Sequence, residues 1–185
     1  MTKYRTIVAD PPWRYQKDNR MGVNTAEAHY DTMTTEAIAD LPVPSLAADS
    51  AHLYMWVTNP VMLGMRQSIM GALTPSDIVR EWGFEPKALL TWIKSESGAG
   101  MGFYFRGDTE HVLFAVRGKA PIAAEIRESN VFRGSRGHHS AKPDSFLDLV
   151  ERVSPGPYVE LFARRARFGW DYWGDQSLGT AEMVA

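Results

Sequence analysis

At 185 residues, with 44% hydrophobic and 23% charged side chains, the chain has the size and make-up of one soluble globular domain. It contains no cysteine, which excludes disulfides, cysteine-ligated zinc, iron–sulfur clusters, a thiol nucleophile and zinc-dependent deamination of bases. The formal net charge of −2 means that any contact with a polyanion must come from a local patch. No apolar run approaches the ~18 residues of a membrane span, and the N-terminus has neither the apolar stretch nor the cleavage site of a signal peptide. A cytoplasmic protein without a membrane partner is expected.

In chain order, Thr6–Ala9 is a short β-branched and apolar run that reads as a buried strand. It ends at Asp10-Pro11-Pro12-Trp13, where two prolines forbid further sheet pairing. Residues 14–31 are polar and without period, a loop. A short helix follows from Thr34 or Thr35 to Asp40, and Leu53–Val57 forms a second buried strand. Pro60 opens a helical pattern that runs toward Met70. Thr74-Pro75-Ser76-Asp77 marks a fresh helix start and Gly83 its stop. Ala88–Ile93 is a third strand, 95–102 a small, Gly-rich stretch, and Val112–Val116 a fourth strand. The segment 119–141 reads mostly as loop, Pro143–Val153 as a helix and Tyr158–Ala163 as a fifth strand.

Strands that alternate with helices and read as continuous apolar runs predict an α/β fold with a sheet buried on both faces. One domain spanning 1–178 is expected, with a frayed tail at 179–185. In such sheets ligands sit beyond the carboxyl ends of the strands. The unusual residues lie there: Asp10 after the first strand, Asn59 after the second, Lys94 after the third and Arg164 after the fifth.

The stretch Asp10-Pro11-Pro12-Trp13 carries the chemistry. The amino group of a nucleobase is a poor nucleophile, because its lone pair is delocalised into the ring. To attack a methyl sulfonium it needs acceptors for its hydrogens as positive charge develops on nitrogen. The Asp10 carboxylate and the Pro11 carbonyl are two such acceptors, and Pro11 and Pro12 stiffen the backbone that aims them. Trp13 offers a ring on which an extruded base can stack. The alternative is a strand ending in an Asp-Pro turn that packs a tryptophan.

Asp-Pro-Pro-Trp is the signature of amino-methyltransferases acting on adenine. From about Tyr4 to Gln176 the chain resembles the family named after the seventy-kilodalton subunit of the mRNA adenosine methyltransferase (MT-A). The resemblance runs through His29-Tyr30-Asp31-Thr32-Met33, Trp56-Val57-Thr58-Asn59, Trp82-Gly83-Phe84, Leu90-Thr91-Trp92-Ile93-Lys94 and Glu110-His111. It continues through His139-Ser140-Ala141-Lys142-Pro143, Glu160-Leu161-Phe162-Ala163-Arg164, Gly169-Trp170 and Trp173-Gly174. It implies a Rossmann-like methyltransferase fold, with a mixed, mostly parallel sheet, helices on both faces and a permuted order in which the catalytic motif precedes the cofactor motif. It implies S-adenosylmethionine as methyl donor and methylation of the N6 amino group of adenine in nucleic acid, DNA rather than RNA. RNA adenine, cytosine N4, or a non-catalytic nucleic-acid-binding subunit are the competing readings. Asp10 argues against cytosine, whose enzymes usually carry serine there.

Under that resemblance the donor falls to Asp10, Lys142, Glu160, Phe162, Arg164, Asp175 and Gln176, although many members have asparagine where this chain has Asp175. Lys142 precedes a helix start and could pair with the donor's carboxylate, or be a solvated lysine. Glu160 and Phe162 alternate on one strand and so share a face, suited to a ribose and an adenine, or simply an edge Glu and a core Phe. The nucleic acid falls to Tyr30, Asn59, Lys94, Glu110, Arg133, Arg136 and His139. The clusters Arg127–Lys142 and Arg164–Arg167 could form a basic face or only solvated charge. No metal site is expected, since His138 and His139 lack partners at ligand spacing. With no separate recognition domain, target choice falls to the loops 14–31 and 95–108, or to a homodimer mate or partner subunit.

Overall fold

A computed structural model describes residues 2–14, 32–64, 72–95, 105, 107–123, 125–135 and 142–174. Its elements are β1 (Tyr4–Ala9), α1 (Thr35–Ala39), α2 (Val43–Leu46), β2 (Ala47–Val57), α3 (Asn59–Met62), α4 (Pro75–Glu81), β3 (Glu85–Ser95), β4 (Thr109–Arg117), β5 (Val131–Ser135), α5 (Asp144–Val153), β6 (Tyr158–Leu161) and β7 (Trp170–Trp173). The strands form one seven-stranded sheet in the order β5-β3-β4-β2-β1-β6-β7. Five of them match the expected strands. β5 and β7 are additional, four or five residues each, too short to stand out from the charged and aromatic sequence around them.

β1 pairs in parallel with β2 and β6, β6 with β7, and β3 with β5, whereas β4 is antiparallel to both β2 and β3. The sheet is therefore mixed and mostly parallel, as the family resemblance implied. One consequence governs the site. The last residues of β1, β2, β3 and β6 and the first residues of β4 all lie at the same end of the sheet.

The two faces follow from the period-two alternation of a strand. Leu53, Met55 and Val57 of β2 join Ile7 and Ala9 in a core that includes Ile38 of α1, Ile78 and Val79 of α4, and Trp82. Tyr54 and Trp56 join Val8, Leu90, Trp92, Val112 and Phe114 in a second core, covered by Phe146, Leu147, Leu149 and Val150 of α5. Residues 51–57 are all buried, which is why they read as a continuous apolar run rather than an alternating one.

Local sequence sets the helix ends. Thr74 caps α4: its Oγ1 accepts from the Asp77 N–H at 3.2 Å and the Asp77 carboxylate accepts from the Thr74 N–H at 2.9 Å. Gly83 closes the helix at φ +80°. The pattern expected from Pro60 toward Met70 is helical at Asn59–Met62, while residues 65–71 lie outside the described residues. The expected tail, 179–185, also lies outside them. At the end of β4, Gly118 has φ +61°, and a Cβ there would meet the Asp49 carbonyl oxygen at 2.1 Å. Only glycine fits that turn. No helix among the described residues is long and apolar enough to cross a membrane.

Phe146 anchors α5 to the sheet. It is 1% exposed and its ring packs against Trp56 at 4.7 Å, Phe132 at 5.4 Å and Tyr54 at 6.0 Å. Phe146→Ala leaves a cavity that three large neighbours cannot collapse into, and should cost about 3–5 kcal/mol. Urea unfolding followed by tryptophan fluorescence checks this. A midpoint within error of the parent would show that α5 is not held there.

Candidate active site

The strand β1 delivers Asp10 to the open end of the sheet, and the loop after it is tied down on all sides. The Asp10 N–H donates to the Leu161 carbonyl of β6 at 3.3 Å, and the Met33 N–H donates to the Pro12 carbonyl at 2.8 Å. The Trp13 N–H donates to the Pro11 carbonyl at 2.9 Å, occupying one of that oxygen's two lone pairs. The Trp13 indole N–H donates to the Trp56 carbonyl at 3.0 Å. Trp13 is 5% exposed and belongs to the core. The ring expected as a stacking platform is thus a buried pin. Its polar edge needs a carbonyl and its body needs a core, so it locks the loop and has no open face for a base.

Four charges line up beside this loop. Lys142 Nζ donates to Asp10 Oδ2 at 2.9 Å and lies 3.4 Å from Glu110 Oε2. Lys94 Nζ sits 2.8 Å from Glu110 Oε1 and donates to the Gly107 carbonyl at 3.2 Å. Their side chains are only 10–19% exposed. Lys142 also lies over the Trp56 ring, 5.0 Å from its centroid, and Lys94 over the Trp92 ring at 5.5 Å. Burial alone would push the Lys142 ammonium down, but the Asp10 and Glu110 carboxylates outweigh it and hold it above its ordinary range. Burial would likewise raise Glu110, but Lys142 and Lys94 outweigh it and hold this carboxyl below its ordinary range.

Lys142 is therefore not a solvated lysine. It precedes α5, and the next residue, Pro143, packs on Gly134 of β5 so closely that a Cβ at Gly134 would meet the Pro143 Cβ at 2.7 Å. The Gly134 carbonyl accepts the Trp92 indole N–H at 2.9 Å. Gly134 did not stand out in the sequence, and Trp56 entered only within the Trp56-Val57-Thr58-Asn59 match. A strand pattern does not report which residues of other elements pack against it.

On the other side of Asp10, Glu160 of β6 sits beside Val8 in register. Burial first, and the Asp10 carboxylate second, push its carboxyl up to about 7. The strand expected to run to Ala163 ends at Leu161, because Phe162 adopts φ +64°. A left-handed phenylalanine is a strained conformation costing ~1–3 kcal/mol, and strain of that kind clusters at functional sites. The alternation argument for a face shared by Glu160 and Phe162 does not hold across this turn. The Phe162 ring meets Trp173 edge-on at 5.3 Å instead.

Among the remaining candidates, the Asn59 side-chain amide donates to Thr109 Oγ1 at 3.4 Å, tying α3 to the start of β4. Arg164 is exposed just beyond β6, and its charge reaches Lys142. Arg133 lies exposed on β5, at the far edge of the sheet. Tyr30, Arg136, His139, Asp175 and Gln176 fall outside the described residues, as does His138. The cluster after β6 is not an open basic face. Arg165 pairs with Asp144, and Arg167 with Asp148 at 2.6 Å and Glu151 at 2.8 Å, all carboxylates of α5.

A model of the MT-A70 family matches residues 4–176, from β1 past the last described strand. The chain belongs to the MT-A70 family of methyltransferases. It is 33% identical to the type II methyltransferase M.MunI of Mycoplasma sp, over 93% of this chain and 77% of that protein. It is 32% identical to the N6-methyladenosine RNA methyltransferase MTA1 of Pyricularia oryzae, over 95% of this chain and 47% of that one. It is 28% identical to the human N(6)-adenine-specific methyltransferase METTL4, over 95% and 38% respectively. The chain thus spans most of the first relative and under half of the other two.

In this MT-A70 protein the environment of Glu160 yields a stability prediction. A carboxyl raised from 4.5 to about 7 by folding favours the fold while it is protonated. That contribution is lost as pH rises between those values. Glu160→Gln, which carries no such charge, should match the parent near pH 4 and exceed its unfolding free energy by roughly 1–3 kcal/mol at pH 8. Urea titrations at both pH values test this. A variant no more stable than the parent at pH 8 would mean that Glu160 is not strained by its surroundings.

Proposed function

We propose that the protein transfers a methyl group from S-adenosylmethionine to the exocyclic N6 amino group of adenine in DNA. The observation that carries the reading is the Asp10 carboxylate fixed beside the rigid Pro11-Pro12 backbone at the open end of the sheet, with Lys142 at 2.9 Å. When bound, S-adenosylmethionine supplies an electrophilic methyl on a sulfonium. The donor also carries a carboxylate, an ammonium, a ribose and an adenine. The residues present suit that mixture: Lys142 for the carboxylate, Asp10 for the ammonium, Glu160 for ribose hydroxyls, and Phe162, Arg164, Asp175 and Gln176 for the ribose and adenine beyond β6.

Toward the acceptor, Asp10 and the second lone pair of the Pro11 carbonyl take the two amino hydrogens. This aims the nitrogen lone pair and stabilises the positive charge that builds on it. The proton that nitrogen then sheds passes to an oxygen of Asp10. These acceptors are preorganised, because Trp13 and the hydrogen bonds to Leu161 and Met33 hold the loop before any substrate arrives. Asn59, Lys94 and Glu110 stand at the same end, with Tyr30, Arg133, Arg136 and His139 assigned to the polymer. The DNA reading is supported by the chain's reach over 77% of a bacterial type II methyltransferase, against 47% of the fungal RNA enzyme. A homodimer mate or partner subunit would contribute to target recognition.

The test is direct. Incubate the protein with isotope-labelled donor and either DNA or RNA, then identify the modified nucleoside by mass spectrometry. N6-methyladenine from DNA is expected, N6-methyladenosine from RNA would move the polymer, and N4-methylcytosine would overturn the base. Asp10→Ala should lower the rate about 10²–10³-fold or more while circular dichroism stays that of the parent. Near-normal turnover by that variant would remove Asp10 from the chemistry.

A further inference from the structure

Both oxygens of the Glu110 carboxylate are taken by ammonium groups of the protein itself, Oε1 by Lys94 at 2.8 Å and Oε2 by Lys142 at 3.4 Å. Each oxygen keeps a further lone pair, and the neighbours show what this engagement does. Lys142 is shared between Glu110 and Asp10 Oδ2, so one of the two Asp10 oxygens already accepts a hydrogen bond from a lysine. Lys94 grips the Gly107 carbonyl with its ammonium and the Asp108 carbonyl with its backbone N–H at 2.9 Å, fixing the chain where it enters β4. The result is an unbroken line, Asp10–Lys142–Glu110–Lys94–Gly107. It crosses the open end of the sheet from β1 to β3, with two positive and two negative charges in alternation. Its four charged side chains are 10–19% exposed, so solvent screens them weakly.

We propose that Glu110 is a positioning residue that couples the donor site to the nucleic-acid site. It is the fixed anchor on which Lys142 turns from Asp10 toward an arriving carboxylate, and through Lys94 it holds the entry of β4. This rests on the methyltransferase reading above. With no donor, Lys142 covers Asp10 Oδ2. A donor carboxylate is a third anion competing for the same ammonium, and drawing Lys142 toward it uncovers Oδ2. Glu110 is then the one protein carboxylate in this line that still holds Lys142. Because Glu110 also fixes Lys94, the state of Lys142 is felt at Gly107 and Asp108. Donor binding should therefore favour adenine binding, and by linkage the reverse must hold by the same factor.

The experiment measures that factor. Fluorescence anisotropy gives the affinity for a labelled single-stranded oligodeoxynucleotide containing adenine, with and without saturating S-adenosylhomocysteine, which has the donor's carboxylate but no methyl to transfer. Calorimetry gives the affinity for S-adenosylhomocysteine itself. In the parent, the homocysteine compound should tighten oligonucleotide binding by about tenfold. Glu110→Gln keeps the shape but not the charge, and should weaken S-adenosylhomocysteine binding and bring the coupling factor close to one. Lys94→Met leaves Lys142 with both its carboxylates, and should keep the S-adenosylhomocysteine affinity while losing the coupling. It also carries the test if the Gln variant does not fold. A residue that only stabilises the fold would lower both affinities and leave the factor unchanged. No coupling in the parent, or parental coupling in Lys94→Met, overturns the inference. If the parent fails to bind S-adenosylhomocysteine and methylates nothing, the underlying reading fails as well. If it methylates adenine without coupling, this inference alone falls.

Discussion

The reversed direction of β4 is the constraint on which the rest of the site depends. In an all-parallel sheet the first residues of every strand lie at the end opposite to the ligand. Here β4 pairs antiparallel with β2 and β3, so Thr109 and Glu110 begin the strand where β1, β2 and β3 finish. Glu110 then faces two lysines, one from the end of β3 and one from the entrance to α5. Were β4 parallel, Lys94 and Lys142 would confront each other near Asp10 with only one carboxylate between them. Buried charge of that kind is costly unless paired.

Indole groups hold this end rigid. Trp13 donates to the Trp56 carbonyl and Trp92 to the Gly134 carbonyl, each across about forty residues of sequence. A buried tryptophan needs one acceptor and a large apolar cavity, so each such contact fixes both a loop and a packing layer. Trp56 does this twice, since its carbonyl pins the Asp10–Trp13 loop and its ring lies under the Lys142 ammonium. The catalysis proposed above needs acceptors whose geometry is set before the substrate arrives, and these contacts hold the Asp10–Trp13 loop from the core side.

The electrostatics of the two flanks of Asp10 differ. Toward β4, Lys142, Glu110 and Lys94 each have a partner of opposite sign. Toward β6, partial burial and then the Asp10 carboxylate push the Glu160 carboxyl up to about 7. A left-handed Phe162 follows two residues later. Both are unfavourable arrangements in the isolated protein, and both adjoin the surface assigned to the donor. Stability given up at a binding surface is common where a ligand later supplies the missing partner.

Much of this was legible in the amino-acid sequence. The strand runs Thr6–Ala9, Leu53–Val57, Ala88–Ile93 and Val112–Val116 and the capped helix at Thr74 are local patterns, set by consecutive apolar side chains and by one hydroxyl at a helix start. Asp10-Pro11-Pro12-Trp13 is equally local, because two prolines and a strand end fix the backbone with little help from elsewhere. The role of Trp13 was not legible: an exposed and a buried tryptophan look alike until the Trp56 carbonyl comes within 3.0 Å of it. Nor was the line from Asp10 to Gly107, whose members are separated by up to 132 residues in the chain. Charge pairing across such distances depends on strand order and direction. Tertiary packing decides these through which faces are buried together, and a one-dimensional pattern of residues does not contain them.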